Sequence, residues 1–183
     1  MSELALLARE LGVHDRTLRR AVAQGSLRAV RPSPRTLQMT MSERQYARRA
    51  WPLLSTLRTA LRTEHNVHFA LLFGSAARGT DTPESDIDVL VGLRDPSLER
   101  VIELSAKLTG ATGRRVDVVR LEDAQAEPSL LADVVSDGRV LVDRQGVWSR
   151  LRGSDASLAR AGARSEARRA RAALAGLDRV LSG

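Results

Sequence analysis

Apolar residues recur along this chain with two different periods, and the switches between them divide it into elements. Leu4, Leu7, Ala8 and Leu11 fall at helical spacing, and Gly12-Val13-His14 reads as a tight turn. Asp15 is placed to cap a second helix that runs to about Gln24 and ends at Gly25. In that helix Leu18, Ala21 and Val22 form the inward stripe. Leu27 to Arg31 and Thr36 to Thr40 read as short strands around Pro32-Ser33-Pro34-Arg35. Ser42 with Gln45 predicts a capping box for a helix carrying Tyr46, Leu53, Leu54, Leu57 and Leu61, which Pro52 should kink or restart. The period then shortens: Phe69 to Phe73, Ile87 to Val91, Arg115 to Val119 and Arg139 to Asp143 read as strands. Between them lie predicted helices from Ser97 to Leu108, opened by Asp95-Pro96, and from Pro128 to Val135.

Two of these strands carry chemistry. Side chains on a strand alternate faces, so Asp86 and Asp88 point the same way while Ile87 and Val89 enter the packing. Two carboxylates so placed repel unless a cation lies between them, and Mg²⁺ takes carboxylate and phosphate oxygens together. Upstream, the missing side chain of Gly74 lets a phosphate approach the backbone, with Ser75 as a donor, Arg78 as a charged fork and Gly79 for the following turn. Asp117, on the strand Val116-Asp117-Val118, supplies a third acid. Two Mg²⁺ ions bridged by Asp86 and Asp88, one of them also held by Asp117, would clamp an in-line displacement at phosphorus, and Asp117 can take the attacking hydroxyl's proton.

Gly74-Ser75, ten intervening residues and Asp86-Ile87-Asp88, with Ala77-Arg78-Gly79 and Ser85-Asp86 between, resemble the minimal nucleotidyltransferases of the DNA polymerase β superfamily. A later hydrophobic-Asp-hydrophobic strand, here Val116-Asp117-Val118, is similar too, and the resemblance covers about residues 65 to 145. It implies an α/β (α+β) fold, a mixed sheet flanked by helices, with Mg²⁺ dependence and transfer of a nucleoside monophosphate from a nucleoside triphosphate (NTP) to a hydroxyl. It places Asp86, Asp88 and Asp117 as catalytic metal ligands, and Gly74, Ser75, Arg78, Gly79 and Ser85 around the nucleotide. Members of the family often occur in toxin–antitoxin systems, modifying a partner protein or the acceptor end of transfer RNA.

Charge separates the chain into three parts. Residues 1–50 carry ten basic and four acidic side chains, residues 51–143 ten and 15, and residues 144–183 nine and three, within a net charge of +7. An acidic centre suits metal binding, and basic flanks suit a polyanionic partner. Two helices joined at a glycine and followed by a hairpin with a basic tip resemble a winged helix-turn-helix, which implies duplex DNA contact through Arg16, Thr17, Arg19, Arg20 and Arg35. The division expected is therefore 1–50 for DNA binding, 51–145 for nucleotidyl transfer and 146–183 as a basic helical tail, where Ala170, Leu174, Leu177 and Leu181 repeat at near-heptad spacing. The tail can dock on the core, pair with a second copy or bind acidic partners, and a homodimer or a cognate partner protein is among the assemblies expected.

The chain has no cysteine, which excludes disulfides and thiolate chemistry, and no apolar run approaches the roughly 20 residues of a membrane span. A cytoplasmic enzyme acting on a protein or RNA acceptor is the reading that follows. A regulator whose nucleotidyltransferase domain only senses nucleotide, and an enzyme acting on a small aminoglycoside-type acceptor, are the alternatives. The intact set of three aspartates disfavours the first of these, and the basic flanks disfavour the second.

Overall fold

The structure is a computed structural model that describes residues 3–33, 36–154, 160 and 163. Arg35 and the tail positions Ala170, Leu174, Leu177 and Leu181 lie outside the described residues.

Helices α1 (Glu3–Glu10) and α2 (Asp15–Gln24) are joined by a turn in which Gly12 takes a positive φ of 66°. Leu4, Leu7, Leu18 and Ala21 are buried, as the apolar stripe requires. Asp15 is not the cap expected of it: His14 occupies the N-cap, and the Asp15 carboxylate accepts from Arg19 Nε at 2.6 Å. At that position its own helix places Arg19 one turn on, and the ion pair takes the carboxylate away from the backbone. Strands β1 (Val30–Ser33) and β2 (Thr36–Gln38) form an antiparallel pair, each starting or ending within three residues of the expected position.

The long helix α3 (Met41–Arg62) runs without interruption through Pro52, so the expected restart does not occur. Proline removes one backbone donor there. Tyr46, Ala47, Ala50, Trp51, Leu54, Leu57 and Leu61 are all buried on either side of it, and each fully buried leucine contributes about 1.5–3 kcal/mol, enough to hold the helix through one lost hydrogen bond. The cap is Thr40 rather than Ser42: Thr40 Oγ1 accepts from Glu43 N at 3.1 Å. Glu43, at the third helical position, does not complete a capping box with Thr40 but turns its carboxylate inward to Arg28 N and the Arg139 guanidinium.

Strands β3 (Val67–Phe73), β4 (Ile87–Leu93), β5 (Val116–Arg120) and β6 (Arg139–Asp143) make one mixed sheet in the order β5-β4-β3-β6. Strand β3 is antiparallel to both neighbours, whereas β4 and β5 are parallel. A parallel pair needs a crossover, and α5 (Leu98–Thr112) supplies it. It is capped at Ser97, not at Asp95-Pro96, because Asn66 and Ser97 N hold Asp95 in the preceding turn; it continues past Leu108 to Gly113, whose φ is +68°.

Alternation along the strands divides the core in two. Ala70, Leu72, Ile87, Val89 and Val116 face α1, α3 and α5, in a cluster that includes Leu4, Leu18 and Leu27. Phe69, Leu71, Phe73 and Leu90 face the other side, covered by α6 (Leu121–Ala126), α7 (Pro128–Asp137) and α8 (Val147–Gly153). Both faces of the sheet are therefore covered, which accounts for the nearly uninterrupted apolar runs of β3 and β4. The mixed sheet flanked by helices expected from the motif is the architecture observed. No helix among the described residues is long and apolar enough to cross a membrane.

Candidate active site

The chain turns sharply where β3 ends. Phe73 is extended, Gly74 adopts φ +71°, and the short helix α4 (Gly74–Arg78) begins at once, closing at Gly79 with φ +79°. Only glycine serves at position 74, for two reasons: the left-handed conformation, and a Cβ that would collide with Asp88 Oδ2. The Asp88 carboxylate is thus laid directly over the start of α4.

Register brings the acids together. Asp88 pairs with Asp117 across the parallel β4–β5 ladder and with Phe73 across the antiparallel one, and Asp86 lies just ahead of β4. Asp88 and Asp117 project to the face shared by Leu90 and Val119, as the alternation of Ile87, Val89, Val116 and Val118 predicts. Burial raises the Asp88 pKa above its usual value, and the charges of Asp117 and then Asp86 raise it further against a smaller opposing effect of Arg78. Arg115 answers part of this negative charge: its Nε donates to Asp117 Oδ1 at 3.0 Å, and its guanidinium lies 3.9 Å from Asp86 Oδ2. Among the described residues no three acidic or histidine side chains close into a metal-enclosing set. The mutual repulsion that perturbs Asp88, the all-oxygen donor chemistry and the roughly half-exposed Asp86 and Asp117 nevertheless suit a hard divalent cation entering from solvent.

The remaining expected ligands are placed less directly. Ser75 is the second residue of α4, and its carbonyl accepts from Gly79 N and Thr80 N. Arg78 projects from α4, half exposed, and pairs with Asp137 of α7 at 2.5 Å. The Ser85 hydroxyl accepts from Thr82 N at 2.9 Å, closing the turn that delivers Asp86. That loop is held from outside by two arginines that the motif does not include. Arg49 of α3 donates to the carbonyls of Gly79 and Asp81, and Arg114 donates to Ser85 O at 2.7 Å and to Asp81 Oδ2 at 2.8 Å. Arg114 directly precedes the strand that carries Asp117, but nothing in its local spacing distinguishes it from any other arginine in an arginine-rich chain. Far from this site, Arg16, Thr17 and Arg20 line a cleft between α2 and α3, while Arg19 turns away to Asp15.

A helix-flanked mixed sheet with this strand-edge aspartate set over a glycine-led helix defines a nucleotidyltransferase. The family described as Polymerase beta, Nucleotidyltransferase matches residues 55–146, half of the chain, and the protein belongs to that family of enzymes. A relative from Thermococcus cleftensis, the protein adenylyltransferase MntA, is 38% identical over 68 residues, covering 37% of this chain and 69% of its own. A second relative, from Methanocaldococcus jannaschii, is 39% identical over 62 residues, 32% of this chain and 62% of its own. Among solved structures, a toxin–antitoxin crystal structure with AMP-PNP is 27% identical with a TM-score of 0.52, covering 70% of this chain and 98% of that one.

Proposed function

We propose that the protein transfers adenosine monophosphate from ATP to a hydroxyl of a partner protein, as the nucleotidyltransferase member of a toxin–antitoxin pair. The observation that carries the reading is the Asp88–Asp117 register pair, with Asp86 beside it, laid over Gly74. The name of the T. cleftensis relative favours adenylyl transfer to protein, and the toxin–antitoxin structure with AMP-PNP favours both ATP and a protein partner.

Asp86, Asp88 and Asp117 would hold Mg²⁺, which supplies neutralisation of phosphate charge and acidification of the acceptor hydroxyl. The hydroxyl oxygen forms a bond to the α-phosphorus as the bond to pyrophosphate breaks, and its proton passes to the Asp117 carboxylate. Gly74, Ser75 and Gly79 shape the phosphate approach. Arg78 serves the triphosphate by exchanging Asp137 for phosphate oxygens, and Ser85 serves by fixing the turn that presents Asp86.

The test incubates the purified protein with Mg²⁺ and α-³²P-labelled nucleoside triphosphates in a host-cell extract, beside Asp86→Asn, and resolves protein and RNA on gels. A labelled protein band made from ATP by the intact chain alone is expected. Label confined to RNA would overturn the protein acceptor, and no macromolecular label would favour a nucleotide sensor or a small acceptor.

We propose further that residues 1–50 form a winged helix-turn-helix that meets duplex DNA through Arg16, Thr17, Arg19, Arg20 and Arg35, ahead of a transfer domain at 51–145 and a basic tail at 146–183. The helix pair α1–α2 followed by the β1–β2 hairpin supports it. Joint replacement of Arg19 and Arg20 by Ala should reduce the slope of log affinity against log salt by about two, because each DNA phosphate that an arginine neutralises adds about 0.9 to that slope. An unchanged slope would remove α2 from the DNA surface.

A further inference from the structure

The cleft beside α2 is a different kind of surface from the aspartate site. It has a volume of about 690 Å³, within the range of small-ligand pockets, and its walls come from α2, α3, the end of β6 and the start of α8. Five arginines line it: Arg16 and Arg20 from α2, Arg58 and Arg62 from α3, and Arg144 beyond β6, whose guanidinium already donates to the carbonyls of Leu61, Arg62, Glu64 and Val67. Among the described residues the acid that joins them in the lining is Asp143, and its carboxylate is engaged by the backbone N–H groups of Val147 and Trp148.

The positive charge is poorly answered by the protein itself. Arg16, Arg20 and Arg62 form no ion pair among the described residues, unlike Arg19 on the neighbouring position of α2. Arg58 is partly buried and donates to two neutral oxygens, Ser26 Oγ and Gln24 Oε1. Burial, then the nearby charge of Arg20, presses its pKa below the usual guanidinium value. Several cations drawn toward one concavity repel one another where the acid beside them, Asp143, is engaged by backbone N–H groups, and an anion held there would relieve that repulsion. Both tryptophans of the chain, Trp51 and Trp148, also line the cleft, adding ring surface beside the guanidinium groups.

The cleft is separate from the aspartates. It lies at β6, about 14 Å across the sheet from the Asp117 strand β5 and about 10 Å from the Asp88 strand β4 at the usual strand spacing. It also opens toward Asp143, which pairs with Phe69, whereas Asp88 pairs with Phe73 at the other end of β3.

We infer that this cleft is a second ligand site of the enzyme, one that takes a nucleoside polyphosphate, with the arginines on the phosphates and an indole against the base. Charge converging from several walls suits a compact polyanion; a duplex would present its phosphates to a broader, more open face. A ligand in the cleft engages Arg16 and Arg20, so it would compete with any duplex held by α2. The inference rests on neither the acceptor reading nor the DNA reading.

The two tryptophans make the test direct. The full chain is titrated with ATP and, separately, with inorganic tripolyphosphate in EDTA, and indole emission is followed. A saturable change is expected with both, tighter for ATP because the base adds ring contact. Arg62→Ala and Arg16→Ala, both at exposed positions, should each weaken the midpoint tenfold or more, while Asp88→Asn leaves it in place. Equal affinity for tripolyphosphate would overturn the nucleotide assignment in favour of inorganic polyphosphate. No saturable change, a midpoint that ignores both arginine variants, or a response to a DNA duplex alone would overturn the site.

Discussion

Asp88→Asn is expected to lower nucleotidyl transfer by about 10³-fold or more while the protein stays folded with an equal or higher melting temperature. Removing one carboxylate from a metal-bound phosphoryl-transfer site costs several kcal/mol of transition-state stabilisation, and each 1.36 kcal/mol is about tenfold in rate. The stability half of the prediction follows from the sign of the pKa shift. Burial and the charges of Asp117 and Asp86 raise the Asp88 pKa, so the fold favours the protonated form. That preference stabilises the protein below the ordinary carboxylate range and is lost as pH rises through the raised value. Asparagine is neutral at every pH and avoids the loss, so any advantage of the variant should be largest near neutrality and shrink on acidification. Radiolabel transfer and thermal melts over pH 4–8 check both halves. Transfer within tenfold of the intact protein would sink the role of Asp88 as metal ligand, and a melting temperature well below that of the intact protein at pH 7 would show that the carboxylate stabilises rather than strains the fold.

Arg139→Ala carries the largest expected effect on stability. The Arg139 and Glu43 side chains are only 5% and 8% exposed, and they meet through two guanidinium–carboxylate contacts, one of them at 3.1 Å. Arg139 also donates to the Ala77 carbonyl of α4 at 3.1 Å and stacks 3.7 Å above the Tyr46 ring. One side chain therefore joins α3, the helix beneath the aspartates and the edge strand β6. Tyr46 shares this dry environment, where burial pushes its pKa up to about 12. Truncating Arg139 strands a buried carboxylate, which typically costs about 3–5 kcal/mol, or about 6–20 °C in melting temperature for a chain of this size. Replacing both partners with apolar residues, as in the double variant Glu43→Leu with Arg139→Met, should cost less than Arg139→Ala alone, since no lone charge then remains. A single-variant loss below about 1 kcal/mol would show that water reaches the pair.

The parts legible in the sequence were those determined by short-range geometry. The strands around Phe69–Phe73, Ile87–Val91, Val116–Val119 and Arg139–Asp143 follow from β-branched and alternating runs, and the structure places a strand at each. Gly74 reads as special from its position between a buried strand and Ser75, and its φ of +71° agrees. Caps were less legible: Ser42 and Asp95 have the right chemistry, but Thr40 and Ser97 hold the N-cap positions. Several polar residues next to a helix start can each serve, and the choice among them depends on what the others bond. Helix ends also depend on distant partners, which is why α3 passes through Pro52 and α5 extends beyond Leu108.

By itself the sequence determined the strands, the helices α1, α2, α3, α5 and α7, the glycine-led turn after β3 and the presence of three aspartates at strand starts, because periodicity and backbone sterics act within a few residues; the short helices α4, α6 and α8 are too brief to show a period. Only the tertiary structure decided that Asp88 and Asp117 lie side by side, since strand order and register join residues nearly thirty positions apart. It alone revealed the Arg49 and Arg114 clamps on the loop before Asp86, the buried Arg139–Glu43 pair and the arginine-lined cleft. Arginine has no local signature of partnership: its long side chain reaches whatever oxygen or open space the fold happens to bring near, and that is settled by packing between segments.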